Sequence, residues 1–244
     1  MAIAACNTKI TIPDRVAALA WPRIGEDLNR HGSAKLSGIL HPRECAEVAA
    51  LYDDEAPFRS HVVMARHGFG SGEYKYFSYL LPQIVAELRA ALYPRLAKIA
   101  NEWNAALNGG ICYPPSHASF LKRCHAAGQI RPTPLLLRYR AGDYNCLHQD
   151  LYGAYVFPLQ IAFLLSRPAA DFSGGEFVLT EQRPRMQSRV DVVALEQGDG
   201  VIFAVNERPV KGKKGFYRVK MRHGVSRLRS GSRHTLGIIF HDAK

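Results

Sequence analysis

The chain has 244 residues, 47% of them hydrophobic, which supports a substantial core and excludes a disordered polymer. No run of about 18 apolar residues is present, so no helical membrane span is expected. Net charge is +11, and the stretch from Arg183 to Arg233 holds 13 Lys or Arg against 4 Asp or Glu, a balance that attracts nucleic acid or serves only solubility.

The first 20 residues, interrupted by Lys9 and Asp14, lack the apolar core of a signal peptide, so a cytoplasmic protein is expected. Cysteines at 6, 45, 112, 124 and 146 are odd in number and show no CxxC spacing, which predicts reduced thiols. Asp14 to Arg30 carries apolar residues at helical spacing, with Asp14 as N-cap. A short strand follows over 33–40, then a helix over 41–54 with Pro42 in its first turn.

The segment "RHGFGSGEYKYFSY" (66–79) joins glycines to Phe69, Tyr74, Tyr76 and Phe77. It predicts either a hairpin packed into a helical layer or a mobile aromatic loop whose Tyr74 and Tyr76 stack on an extruded base. Ile84, Leu88, Leu92, Leu96, Ile99 and Trp103 predict a long helix over 80–107, kinked or split at Pro94 and stopped by Gly109 and Gly110. Another short helix is expected over 115–127.

From Thr133 the texture changes to short apolar or alternating runs punctuated by Gly, Pro, Asp and Asn, the pattern of an antiparallel sandwich or jelly roll. The expected class is α+β. Residues 1–130 form a mainly helical extension packed on a β core over 131–244, with no linker between them.

In "YNCLHQDLYG" (144–153), His148 and Asp150 stand two apart after a strand pattern, so an imidazole and a carboxylate fall on one face, as two ligands of one metal require. His31, His41, His61, His117 and His125 lie in helical or turn contexts without a partner at ligand spacing, and His234 and His241 lack a paired carboxylate. His223 instead ends the alternating strand "YRVKMRH" and is the candidate third ligand. Two histidines and a carboxylate on one face of an octahedron leave three positions open, an arrangement suited to Fe(II) with an oxidisable co-substrate and oxygen. Arg233, ten residues later, offers a planar fork for a dicarboxylate.

This ordered set resembles the Fe(II)- and 2-oxoglutarate-dependent dioxygenase superfamily over residues 133–242, with "GGEFVLTEQ" (174–182) and "QGDGVIF" (197–203) similar to its characteristic strands. The resemblance implies a double-stranded β-helix (jelly roll), with His148, Asp150 and His223 as catalytic iron ligands. It further implies Arg233 on the distal carboxylate of 2-oxoglutarate, O2 at the remaining site, and release of succinate and CO2. "RYRAGDYNCLHQD" (138–150) is similar to the motif of the AlkB nucleic-acid demethylases, which implies that Tyr139 contacts 2-oxoglutarate and that the substrate is alkylated nucleic acid. The second arginine of the AlkB RxNxTxR pattern is replaced by Ile239, and its Asn by Thr235. The interval from His223 to Arg233 resembles that of prolyl hydroxylases.

A hydroxylase of a protein side chain or small molecule, and a non-catalytic nucleic-acid-binding module, therefore stand beside the demethylase. Lys211, Lys213 and Lys214 in "VKGKKGFYR" (210–218) are candidate phosphate contacts, or solvated surface charge.

Overall fold

The computed structural model describes residues 10–151 and 153–244; Cys6 and the first nine residues of the segment tested for a signal sequence lie outside them. The expected first helix is two. Helix α1 (Ile12–Ala17) is capped by Thr11, whose hydroxyl accepts the Asp14 N–H while the Asp14 carboxylate accepts the Thr11 N–H. Asp14 is thus the third-turn-residue partner of a capping box and not the cap itself. Helix α2 (Trp21–His31) restarts with Pro22 in its first turn, where the missing N–H costs nothing, and ends at Gly32 in the left-handed region.

Strand β1 (Ser33–Leu36) and helix α3 (Pro42–Ala50) follow as expected, although the strand stops before the turn at Gly38. Three strands then appear within the mainly helical extension, the last two inside the segment expected as a hairpin or a mobile loop: β2 (Phe58–Val63), β3 (Gly70–Ser71) and β4 (Glu73–Phe77). Helix α4 (Gln83–Ala106) runs through Pro94 without being split there, slightly shorter than the expected 80–107, and α5 spans His117–Ala126.

The remaining strands are β5 (Leu135–Arg140), β6 (Tyr144–His148), β7 (Leu159–Leu164), β8 (Phe172–Gly174), β9 (Phe177–Gln182), β10 (Arg189–Val193), β11 (Gly200–Ala204), β12 (Glu207–Gly212), β13 (Gly215–Val225) and β14 (Leu228–Ile238). They form two facing antiparallel sheets, a jelly roll. The larger runs β1-β11-β7-β14-β5-β4-β2, with β8 on β14. The smaller runs β10-β9-β13-β6-β3, with β12 on β13. The first 130 residues therefore enter both sheets: β1, β2 and β4 widen the larger one and β3 extends the smaller.

The period of two sorts the larger sheet. On β7, Leu159, Ile161 and Phe163 join the core shared with Leu92, Leu96 and Phe240 on the helical side. Ala162 and Leu164 face the second sheet, with Phe177, Leu179 and Phe203. A strand buried on both faces reads as a continuous apolar run, which explains "LQIAFL".

The helical layer is fastened to the chain end by buried polar contacts. Arg89 Nη2 meets Asp242 Oδ1 at 2.7 Å, and Arg89 Nε donates to the Ile239 carbonyl at 2.9 Å. Asp242 Oδ2 also meets His125 Nε2 and the Tyr79 hydroxyl, each at 2.8 Å, so His125 does have a carboxylate partner. His117 Nε2 donates to the Phe240 carbonyl at 2.8 Å. No helix among the described residues is long and apolar enough to cross a bilayer.

Burial, followed by the nearby Arg89 charge, pushes His117 and His241 down to about 4 from an ordinary 6.5. A folded-state value below the unfolded one gives stability that is complete above pH 6.5 and is lost as pH falls toward 4. Urea midpoints should therefore drop between pH 6.5 and pH 4, and His117→Gln should flatten that dependence. An unchanged slope in the variant would place the acid sensitivity elsewhere.

Candidate metal and co-substrate site

Strands β6 and β13 are antiparallel neighbours, and their register sets His148 opposite His223. The two ring centroids are 4.1 Å apart. Asp150 lies two residues past the end of β6. Its Oδ1 is 3.6 Å from His148 Nε2 and its Oδ2 is 3.5 Å from His223 Nε2. One ligand atom from each of the three lies within 4.8 Å of the others, so the set can hold one metal ion.

His148 Nδ1 pairs with the Cys146 carbonyl at 2.8 Å, which makes Nδ1 the donor and presents Nε2 with its lone pair. His223 is buried against Phe203, with ring centroids 4.5 Å apart, and burial pushes its pKa down despite the hydrogen bond to Asp150. Burial thus favours neutral imidazole at His223, the form that ligates a metal.

Gln149, between the two ligands of the His-x-Asp pair, turns the other way. Its Nε2 donates to Asn206 Oδ1 and to the Met221 carbonyl, both at 2.8 Å. Met221 N–H in turn donates to the Asn206 carbonyl at 2.6 Å. One amide thus ties the segment carrying His148 and Asp150 to the strand carrying His223. Gly224 lets β6 and β13 close: a Cβ there would meet the Asn145 carbonyl oxygen at 2.7 Å.

The three ligands open into a cavity of about 430 Å³ between the sheets. At one end stands Arg233, 2% exposed, which cross-strand pairing sets beside Tyr139. Its Nη1 donates to Thr235 Oγ1 at 2.6 Å, and its Nε has no hydrogen-bond partner. Burial pulls its pKa down to about 10, so it stays cationic at neutral pH. No carboxylate among the described residues lies within ion-pair distance of it. An unpaired buried cation costs several kcal/mol, and a dicarboxylate end group offsets that cost. Arg227 and Arg229, the nearest preceding arginines, are both exposed, whereas the register of β14 turns Arg233 into the cavity.

Tyr139 is fully buried beside Asn145, and burial pushes its phenol up to about 12, so it remains a donor. Thr235, two residues after Arg233 and hence on the same face, was not among the expected site residues. The two-residue period of the last strand was the signal for it.

Tyr74 and Tyr76 line the cavity wall from β4, with ring centroids 5.3 Å apart, edge to face. Only Phe77 of that segment packs into the core beneath the helices. Lys211, Lys213 and Lys214 do not reach the site. They occupy the β12–β13 hairpin, at the end of β13 opposite His223. His223 lies nine positions along the extended strand from Lys214, a distance on the order of 30 Å.

Residues 72–243 match the family described as "Oxygenase, catalysing oxidative methylation of damaged DNA". The chain belongs to that family. It is also 49% identical over 163 residues to an uncharacterised protein of Mycobacterium tuberculosis, covering 67% of this chain and 70% of the relative. Its fold is similar to that of a Pseudomonas putida prolyl-4-hydroxylase, with a TM-score of 0.53 at 14% identity, covering 92% of this chain and 99% of the other. A 2OG-Fe(II) oxygenase family oxidoreductase from Burkholderia pseudomallei gives 0.50 at 16% identity, covering 93% of each chain. Family membership, the jelly roll and the His148–Asp150–His223 set together make the protein a 2-oxoglutarate-dependent dioxygenase that uses Fe(II) and O2.

Partners that orient metal ligands typically contribute ten- to a hundredfold in metal affinity. Gln149→Leu should therefore weaken Fe(II) or Mn(II) binding by about that factor, read by anaerobic titration, with an unchanged thermal midpoint for the rest of the fold. Wild-type affinity in this variant would mean that the register of β6 and β13 needs no such tie.

Proposed function

We propose that this dioxygenase oxidises an alkylated base of nucleic acid. His148, Asp150 and His223 hold the iron, and Arg233, Thr235 and Tyr139 hold the distal carboxylate of 2-oxoglutarate. Bound iron supplies the oxidation of a C–H bond coupled to conversion of 2-oxoglutarate into succinate and CO2. The chain's own part is placement. Arg233 fixes the co-substrate by a fork that lysine cannot reproduce, and Leu135, Leu137 and Ala162 keep the cavity floor dry. A hydroxylated N-methyl group then breaks down to formaldehyde and the unmodified base.

The observation that carries the substrate is the aromatic wall. Tyr74 and Tyr76 line the cavity, and Phe69, 48% exposed, stacks on His67 at its rim with centroids 5.3 Å apart. Stacked aromatics receive any base, at roughly 1–3 kcal/mol per base. The net charge of +11 supports approach to a polyanion. The free Cys45, Cys112, Cys124 and Cys146 support a reducing, cytoplasmic location.

A second reading, hydroxylation of a protein side chain or small molecule, is favoured by one observation. Ile239 lines the cavity where AlkB proteins carry their second arginine, and Arg233 is the only Lys or Arg among the described lining residues. Incubation with methylated single-stranded and duplex oligonucleotides separates the two. Formaldehyde and oligonucleotide-dependent succinate support the first. Succinate release that ignores every oligonucleotide, with a +16 Da product in a treated cell extract, supports the second.

On the first reading, Tyr76→Leu should raise KM for a methylated oligonucleotide by roughly five- to a hundredfold and leave 2-oxoglutarate affinity unchanged. Arg233→Lys should do the reverse, weakening 2-oxoglutarate by roughly tenfold or more with oligonucleotide KM preserved. Equal effects of both variants on both ligands would contradict the division of the cavity.

A further inference from the structure

Gln160 is a charge-free polar group in the cavity wall, and the reaction described above leaves it without a task. It is 3% exposed, it lines the cavity from β7, and its Nε2 has no hydrogen-bond partner. A buried amide N–H left unpaired costs about 1–3 kcal/mol, so its presence asks for a ligand acceptor.

Its place in the sheet says which one. Register sets Gln160 opposite Phe203 on β11, and the Phe203 ring lies 4.5 Å from the His223 ring. Gln160 therefore belongs to the metal end of the cavity. Arg233, Thr235 and Gly237 step along the same face of β14 from the opposite end, and Gly237 presents no side chain between them. A dicarboxylate anchored on Arg233 runs over Gly237 toward the metal, and its second carboxylate arrives beside Asp150. Like charges in a dry cavity repel, and no Lys or Arg among the described lining residues stands at that end.

Three carboxamides line the cavity. Gln149 is engaged with Asn206 and Met221, and Asn145 lies beside Tyr139 at the Arg233 end. Gln160 is the remaining one, and its N–H is a donor suited to a carboxylate.

We propose that Gln160 binds the C1 carboxylate of 2-oxoglutarate, as a neutral counterpart to Arg233 at the C5 carboxylate. The proposal rests on the placement of 2-oxoglutarate given above. A neutral donor at that position fits because Asp150 and the carboxylate share the iron's positive charge. A lysine there would compete for Asp150, and a glutamate would add a third negative group.

The test is anaerobic titration of the Fe(II)-loaded enzyme with 2-oxoglutarate, following affinity and the visible charge-transfer band of the complex. Gln160→Leu, and the equally bulky Gln160→Met, should weaken 2-oxoglutarate by roughly tenfold to a hundredfold, as for one charge-assisted hydrogen bond, and should shift the band. Metal affinity should not change. Arg233→Lys should weaken 2-oxoglutarate without moving the band, because it acts at the far carboxylate. The two losses should add in the double variant, since the ends share no partner. Wild-type affinity in both Gln160 variants overturns the proposal, and so does weaker binding with an unmoved band. Failure of Arg233→Lys to affect binding would instead overturn the underlying placement of 2-oxoglutarate.

Discussion

The site depends on one pairing: His148 of β6 opposite His223 of β13. The side-chain period of a strand is two, so a slip of one residue would turn His223 out of the sandwich and leave Asp150 with a single imidazole. Several features hold that register. The Gln149 amide bridges Asn206 and the Met221 carbonyl, two residues before His223. Gly224 admits the close approach of β6, and β9 fixes β13 from the other side over six consecutive pairs, Lys220 to Val225. Phe177 and Phe203 fill the space behind the His223 ring, so its rotamer is set by packing as well as by hydrogen bonding.

A second constraint is electrostatic. Arg233 is a fully enclosed cation whose protein partners are a threonine hydroxyl and the faces of Tyr139 and Phe172, at 5.7 and 5.8 Å. Such a group is destabilising in the ligand-free enzyme and becomes stabilising when a carboxylate arrives. The larger sheet can carry it because its other face is covered. Helix α4 and the chain end pack there, fastened by Arg89 and Asp242. The same β14 strand thus presents Leu236 and Ile238 to the helical core and Arg233 and Thr235 to the cavity.

Much of the site was legible because its signals are local. His148 and Asp150 are two apart, His223 closes an alternating strand, and Arg233 opens the next. Tyr139 and Arg233, distant in sequence, meet because β5 and β14 are neighbours, which no spacing shows. The place of β4 in the larger sheet was hidden for a physical reason. In "EYKYF", Lys75 occupies a buried position, satisfied by the Tyr52 carbonyl and Glu55, so the alternation reads as polar. A hairpin against the helical layer and a mobile loop both fit that pattern, so the route by which Tyr74 and Tyr76 enter the cavity wall could not be drawn. The basic run at 211–214 lies away from the site. It is close to His223 along the chain and far from it in space, because a strand converts sequence separation into distance at full extension.

The central claim is that two imidazoles and one carboxylate, and nothing else from the chain, hold the iron. Cys146 tests it, since this exposed thiol also lines the cavity two residues before His148. X-ray absorption at the iron edge of the anaerobic Fe(II) protein measures the ligand set directly. The account predicts a shell of nitrogen and oxygen scatterers with the multiple scattering of two imidazoles, falling to one in His223→Ala. A sulfur scatterer in the first shell, or two imidazoles persisting in His223→Ala, would contradict it.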